Sequence, residues 1–261
     1  MTALTATGGP GTERVTAVTL SSLPVSYASA KDPDRATVAV VDGVGEWPQE
    51  ARHHLDRGSK ATIVVHPEPA DLTPLRDAHG TLLVDSLWAS NPAVPTAAGL
   101  FIPRMPRAAL LECRIVLTAG RPQAAALLDA MALIRKLTGP AQEVRTIHVD
   151  GRALVVSATS RQLPVRISIL RSHAVPSSAT VRMLTDDGGV EITVPHPDTA
   201  RPAVVTLTDP AGTLQLPTLW ESGHRATWRR AAAAIGTGSP DLADLEADQL
   251  LLDRLAFSSS R

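Results

Sequence analysis

Histidine is the residue type in this chain that is best suited to acid–base or metal chemistry. His53 and His54 are adjacent, so on a helix their side chains would point about 100° apart, which is poor geometry for one metal ion. Four others stand in predicted loops or at element ends with no cysteine or acidic residue at metal-ligand spacing: His66, His173, His196 and His224. We therefore predict no metal site, although residues that are distant in the sequence can converge in a fold.

The single cysteine, Cys113, offers neither a disulfide nor a clear nucleophile. It lies within an apolar run, where a buried and inert thiol is the usual outcome, and no G-x-S-x-G serine motif occurs in the sequence. The first residues contain no apolar stretch of signal-peptide length. Together these features favour a protein of the reducing cytoplasm.

A glycine-rich turn is the feature through which an α/β sheet binds the pyrophosphate of a dinucleotide, and that turn must follow the first strand. Here Gly8, Gly9 and Gly11 precede the first apolar run, at residues 15–20, and no G-x-G-x-x-G follows a predicted strand. We interpret residues 1–13 as a disordered tail. The expectation is that the chain binds neither NAD nor NADP.

The overall composition argues against several classes of partner. The 261 residues carry 25 basic and 26 acidic side chains, a formal net charge of −1. The basic residues are scattered, so they offer no electrostatic footprint for duplex nucleic acid or an anionic membrane. No segment reaches the roughly 20 apolar residues of a membrane-spanning helix. The length suits two domains.

Short apolar runs predict the elements of the first domain, residues 14–104. The runs at 15–20, 38–41, 61–65 and 81–87 are rich in β-branched residues, which is typical of strands that are covered on both faces in a parallel sheet. A helix is predicted between the second and third runs, because Pro48 suits its first turn and Gly58 its end. Four prolines at residues 91–107 mark the crossover to the second domain.

The second domain, residues 105–261, is predicted to be a mostly antiparallel sheet with helices. Residues 123–137 carry apolar side chains at helical spacing, and Gly139 follows them. The later strands alternate with a period of two, as at Val165, Ile167 and Ile169. Two closing helices are predicted at residues 224–235 and 242–257.

The order of these elements and several local stretches resemble the Gfo/Idh/MocA family of sugar and polyol oxidoreductases. The stretches are VAVVDG, EARHHLDRGSKATIVVHPEPADLTPLRDA, GTLLVDSLWASNP and the closing HRATWRRAAAAIGTGSPDLADLEADQLLLDRLAFSSS, over about residues 36–258. The resemblance implies a fold of class α/β and α+β. A partial Rossmann-like parallel sheet domain would be followed by a mostly antiparallel, open-faced sheet domain with terminal helices.

Set against the motifs of that family, three pieces of oxidoreductase chemistry are missing. The first β-α unit with its glycine turn is absent from the predicted elements. The lysine of the family's Glu-Lys-Pro motif becomes Glu68, in the Pro-Glu-Pro at residues 67–69, so a carboxylate replaces a cation. When Asp129 is aligned with the family's later acidic residue, the catalytic histidine pattern falls on Pro122 and Ala126, and neither can transfer a proton. The resemblance therefore implies a pseudoenzyme without catalytic or cofactor-binding residues.

Three functions remain open at this point. The main prediction is a non-catalytic partner or regulatory subunit in carbohydrate or polyol metabolism. It would form a homo-oligomer, or a hetero-oligomer with an intact family oxidoreductase, through its C-terminal sheet. The alternatives are a sugar-binding module and an active NAD(P)-dependent oxidoreductase with an atypical cofactor site. For a sugar-like ligand the resemblance implies Glu68, Trp88 and Asn91 as substrate-cleft candidates, although the indole of Trp88 suits core contacts equally well.

Overall fold

The computed structural model describes residues 3–23, 26–118, 120–199 and 201–255. The strands are β1 (Leu4–Gly8), β2 (Tyr27–Ser29), β3 (Val38–Asp42), β4 (Ala61–Val65), β5 (Thr81–Asp85), β6 (Ala108–Leu117), β7 (Gln142–Val149), β8 (Ala153–Ser160), β9 (Leu163–Arg171), β10 (Ser178–Thr185), β11 (Gly188–Pro195), β12 (Val204–Asp209) and β13 (Gly212–Gln215). The helices are α1 (Glu13–Ser22), α2 (Trp47–Asp56), α3 (Ala93–Phe101), α4 (Gln123–Thr138), α5 (Gly223–Ala234) and α6 (Asp241–Asp253).

The chain divides into two compact units. One is Met1–Ser90 with Gly223–Glu246, and the other is Asn91–Ser222 with Ala247–Arg261. The predicted boundary near residue 104 therefore lies inside the second unit, beyond α3. The first predicted closing helix, observed as α5, belongs to the first unit, and the last two residues of the predicted helix 242–257 lie outside the described residues.

A five-stranded parallel sheet forms the centre of the first unit, with the strand order β2-β1-β3-β4-β5. Its central strands are continuous apolar runs, VAVVD in β3 and ATIVV in β4, and almost all of their residues are buried. Such runs form strands that are covered on both faces. The predicted Rossmann-like parallel sheet is confirmed.

The beginning of the chain corrects two predictions. Residues 1–13 are not a tail, because Leu4–Gly8 form β1 in the middle of the sheet, with parallel neighbours on both sides; residues 1 and 2 lie outside the described residues. The predicted strand at 15–20 is part of α1, which buries Thr16 and Thr19, and the residues that flank the helix, Thr12 and Leu23, are buried on the same spacing. Steps of four, three and four residues mark one face of a helix, and this period outweighs the β propensity of Val and Thr.

An eight-stranded sheet forms the second unit, with the order β13-β12-β11-β10-β6-β9-β8-β7. Only β6 and β9 pair in parallel; the other neighbours in this sheet are antiparallel. Helix α4 lies on one face against β6, β8 and β9, and Gly139, with a φ of 115°, follows its last turn. The predicted antiparallel sheet and its covering helix are confirmed.

No helix among the described residues is both long enough and apolar enough to cross a membrane.

Candidate functional site

The candidate site lies at the carboxyl ends of the parallel strands in the first unit. Ligands of open α/β sheets bind outside this edge, and the order β2-β1-β3-β4-β5 places the topological switch point between β1 and β3. Asp42 ends β3, His66 follows β4 directly, and Asp85 ends β5. Three ionisable side chains are therefore presented along one edge by neighbouring strands.

Asp85 is the centre of a buried polar cluster. Its side chain is 1% exposed, and its Oδ2 bonds to Nδ1 of His224 in the first turn of α5. The hydroxyl of Thr227, one turn further along the same helix, donates to Oδ1 of Asp85 at 3.1 Å. Both carboxylate oxygens are thus bonded, which fixes the ring of His224 against the end of β5.

His66 completes the cluster from the neighbouring strand. Its ring centroid lies 5.2 Å from that of His224, with the ring planes tilted by 38°. The backbone N–H of His66 donates to the carbonyl of Asp85 at 2.9 Å, and its φ of 50° is in the left-handed region that few non-glycine residues adopt. His66 is partly exposed, although the Nε2 atom of its ring is buried.

The cluster has the chemistry of an oriented acid–base group. Burial by itself raises the pKa of Asp85, but the neighbouring His224, then His66 and Thr227, outweigh this and bring the pKa below its ordinary value. A carboxylate that stays ionised beside an imidazole fixes the tautomer of the ring and stabilises its protonated form. The group can therefore accept and return a proton.

Neither a metal centre nor a reactive thiol is found in the part of the chain that the structure describes. No group of three histidine, cysteine or acidic side chains among these residues is placed to hold a metal ion. Cys113 is buried within the sheet of the second unit, and burial raises its pKa to about 12. The expected inert thiol follows from this value.

The glycine group at the start of the chain follows a strand instead of preceding one. Gly8 ends β1, and the turn that includes Gly9 and Gly11 leads into α1. Thr12 closes the turn through its hydroxyl, which donates to the carbonyl of Gly9 at 2.9 Å and to that of Val40 at 3.2 Å. This is the position of a phosphate-binding turn in a dinucleotide fold. The first β-α unit, predicted to be missing, is present.

Two carboxylates stand over this turn. A Cβ atom on Gly9 would lie 2.6 Å from Oε1 of Glu50 on α2, and a Cβ atom on Gly11, whose φ is 83°, would meet the carboxylate of Asp42. Burial, and then the charge of Asp42, raise the pKa of Glu50 above its ordinary value, although His53 lowers it. The turn lies where a dinucleotide fold binds a pyrophosphate, but the negative charges of these two carboxylates oppose an anion there.

The predicted substrate-cleft residues have different surroundings. Trp88 is completely buried, which agrees with core contacts and not with an indole open to ligand. Glu68 is partly exposed, and its backbone carbonyl accepts a bond of 3.0 Å from Nε1 of Trp47. Asn91 is partly exposed in the second unit, where its Oδ1 accepts from the N–H of Ala93 at 2.9 Å. Ligand roles for Glu68 and Asn91 stay predictions.

The degenerate positions lie at the start of α4. Pro122 precedes the first residue of the helix, and Ala126 is completely buried one turn later. Asp129, on which the alignment was based, is buried, and its Oδ2 accepts from Nη2 of Arg121 at 2.7 Å. In the positions that the resemblance assigned, this helix carries no proton-transfer group.

The acid–base cluster was missed by reasoning from the sequence. His66 and His224 were set aside for want of an acidic partner, and that partner, Asp85, is 139 positions from His224. One signal was available, because His66 directly follows the apolar run at 61–65 and Asp85 is the charged residue that interrupts the run at 81–87. Parallel strands bring such positions to the same edge of a sheet.

Comparison with known proteins supports the fold. No family model and no curated protein matches the sequence. Among solved structures, a variant of KijD10, a 3-ketoreductase from Actinomadura kijaniata in complex with TDP-benzene and NADP, is 12% identical, with a TM-score of 0.70 and coverage of 97% of each chain. UDP-N-acetylglucosamine 3-dehydrogenase GnnA from Acidithiobacillus ferrooxidans is 13% identical, with a TM-score of 0.68 and coverage of 97% of this chain and 96% of that chain. The dehydrogenase MviM from Clostridium difficile is 9% identical, with a TM-score of 0.65 and coverage of 95% and 88%.

These neighbours contradict the main function predicted from the sequence. They are a reductase and two dehydrogenases, and the β1-α1 unit, whose loss was a reason to predict a pseudoenzyme, is present. A non-catalytic partner subunit is therefore the wrong interpretation, and the alternative of an active oxidoreductase fits better. In the order and pairing of its strands, the chain has the fold of the Gfo/Idh/MocA oxidoreductases.

Proposed function

We propose that the chain is an oxidoreductase with an atypical cofactor site, and that His66, His224 and Asp85 handle the proton of its reaction. The observation that carries this proposal is the buried Asp85–His224 pair with His66 beside it at the carboxyl edge of the parallel sheet. A buried carboxylate that orients an imidazole is the arrangement that general acid–base catalysis needs.

The structural neighbours suggest the class of substrate and cofactor. KijD10 is a 3-ketoreductase in complex with TDP-benzene and NADP, and GnnA is a dehydrogenase of a nucleotide sugar. For this chain we propose a sugar-like alcohol or ketone as the substrate, and a nicotinamide nucleotide that supplies hydride chemistry when bound. We place this activity in the cytoplasm, where a single unpaired cysteine is the ordinary state.

Each residue of the cluster has its own role in the transfer of one proton. Oxidation of an alcohol requires removal of the hydroxyl proton, and reduction of a ketone requires its return. His66 is the partly exposed member of the cluster, and because its Nε2 is buried, we assign the contact with a substrate hydroxyl to Nδ1 of its ring. Asp85 and His224 lie behind it, and the negative charge of Asp85 stabilises a proton taken up by the two rings.

Replacing His66 with asparagine is expected to lower kcat about 100-fold or more, because a general acid–base group typically contributes at least that factor. The full chain would be assayed for reduction of NAD⁺ and NADP⁺ with myo-inositol and UDP-N-acetylglucosamine as alcohol donors. His79→Asn is the matched control, since His79 is an exposed histidine of the same unit. Equal turnover by His66→Asn and wild type, or no turnover by the wild type with either nucleotide, would contradict the proposal.

For its partner, we propose a second copy of the chain bound through the outward face of the eight-stranded sheet. This face carries a row of four charged side chains. Glu191, Arg182, Glu112 and Arg166 stand in register on β11, β10, β6 and β9, and their neighbours along each strand are buried on the other face. The charges of this row alternate along its length.

Alternating charges make the row complementary to a copy of itself. When a second row is laid on the first in reverse order, Glu191 meets Arg166 and Arg182 meets Glu112. A two-fold interface requires this reciprocity, and opposite charges across an interface set its register.

The expected result for wild-type protein in light scattering at micromolar concentration is twice the monomer mass. The double variant Arg166→Glu/Arg182→Glu should give the monomer mass, because like charges would then face each other. Arg76→Glu, at an exposed arginine of the first unit, is the control and should leave the dimer intact. A folded wild-type monomer would exclude pairing with a second copy.

A further inference from the structure

The side chain of Glu50 occupies the space that the absence of a side chain on Gly9 creates. Glu50 is in the first turn of α2, and its Oε1 would lie 2.6 Å from a Cβ atom on Gly9. Glycine in a phosphate-binding turn lets the backbone approach a pyrophosphate closely. Here a carboxylate of the same chain lies against the bare backbone.

The carboxylate of Glu50 can leave this position without disturbing the fold. It is the far end of a flexible side chain, and the backbone of the turn is fixed by other bonds. The N–H of Gly9 donates to the carbonyl of Val40 at 3.0 Å, and the N–H of Thr12 donates to the carbonyl of Gly9 at 3.1 Å. The turn therefore keeps its shape whether Glu50 lies on it or swings away.

We propose that Glu50, supported by Asp42, blocks the glycine turn at residues 8–12, which is the phosphate cradle of the cofactor site. A nicotinamide dinucleotide binds when the carboxylate of Glu50 is displaced or neutralised. This inference rests on the proposed oxidoreductase function. Its physical basis is charge, because a pyrophosphate beside two carboxylates suffers like-charge repulsion in a partly buried site. Removing the charge of Glu50 while keeping its shape removes one of these two negative charges.

The proposal also predicts how the affinity for a dinucleotide changes with pH. The charged groups that act on Glu50 are Asp42 at the end of β3 and His53 on α2 itself. The other elements against α2, which are β4 and the 3-10 helix Thr73–Leu75, contain no ionisable residue. Because the pKa of Glu50 is raised, its carboxylate begins to take up a proton at a higher pH than an ordinary glutamate does. Affinity for dinucleotide should therefore rise as pH falls.

The test is calorimetric titration of the full chain with NAD⁺, whose pyrophosphate keeps its charge between about pH 6 and about pH 8. Glu50→Gln should bind NAD⁺ about tenfold more tightly than wild type at the higher pH, since like-charge juxtaposition is costly. Wild-type affinity should rise towards the lower pH, and Glu50→Gln should lose that dependence. Glu46→Gln, at an exposed carboxylate that precedes the same helix, is the control and should behave as wild type.

A second variant tests whether the gain in affinity depends on NAD⁺ binding at the glycine turn. Gly9→Ala added to Glu50→Gln should abolish the gain, because a Cβ atom then stands where the pyrophosphate would approach. Equal affinity of wild type and Glu50→Gln for NAD⁺, with no dependence on pH, would overturn the proposed role of Glu50 and leave the oxidoreductase proposal standing. No binding of NAD⁺ or NADP⁺ by either folded protein would overturn both.

Discussion

Asp85→Asn is expected to lower the free energy of unfolding by about 3–5 kcal/mol at neutral pH, the range found when one partner of a buried ion pair is removed. Asp85 is 1% exposed and its two oxygens bond to His224 and Thr227. An asparagine there offers one acceptor oxygen, so one of the two groups on α5 loses its partner inside the protein. Urea unfolding followed by circular dichroism measures the difference.

The same variant should change how the free energy of unfolding depends on pH in acid. The pKa of Asp85 is lowered in the folded state from an ordinary value of 3.8, so its contribution is complete above that value and is lost as pH falls through the folded pKa. Wild-type protein should therefore approach Asp85→Asn in stability on acidification below about pH 4. Asp77→Asn, at an exposed carboxylate of the same unit, is the control and should change stability by less than about 0.5 kcal/mol. A loss below about 1 kcal/mol in Asp85→Asn would show that the pair is not a structural unit.

Trp228→Ala should cost about 3–5 kcal/mol of unfolding free energy, as large-to-small changes of buried aromatic residues do. The side chain of Trp228 is 1% exposed in the core of the first unit. Its ring meets that of Tyr27 edge to face, with centroids 4.8 Å apart and an interplanar angle of 74°. The hydroxyl of Tyr27 donates to the carbonyl of Trp228 at 2.6 Å. The substitution leaves a cavity beside a tyrosine that loses its aromatic partner.

The chain contains a matched control for this prediction. Trp220 is 78% exposed, so Trp220→Ala removes the same side chain without creating a cavity and should change stability by less than about 0.5 kcal/mol. Both variants would be unfolded in urea beside the wild type. Similar losses in the two variants would mean that burial of Trp228 contributes nothing specific to the core.

The elements that could be predicted are those whose sequence pattern and surroundings agree. β3 and β4 are continuous apolar runs, and they lie in the centre of a sheet that is covered on both faces. The helix at residues 123–137 carried an apolar stripe, and α4 buries most of its residues, including Leu127, Met131 and Ile134. Alternation with a period of two at Val165, Ile167 and Ile169 predicted β9, which is a strand with one buried face.

The first β-α unit shows where local pattern is insufficient. LTATG in β1 has no continuous apolar run, and it is a strand because β2 and β3 supply its hydrogen bonds. Because residues 4–8 form β1, the glycines that follow belong to the turn between β1 and α1 at the switch point, and not to a tail. The interpretation of these five residues as part of a tail therefore supplied one of the three reasons for predicting a pseudoenzyme.

The amino-acid sequence alone determined the class of each domain, the central strands, the covering helix and the likeness to an oxidoreductase fold, because these depend on periodicity within short segments. Tertiary structure alone decided the site. In the folded chain Asp85 bonds to His224, 139 positions away in the sequence. Glu50 lies against Gly9, and Trp88 is buried. Contacts of this kind depend on which strand ends and helix turns meet after the chain has folded, and no periodicity within a segment records them.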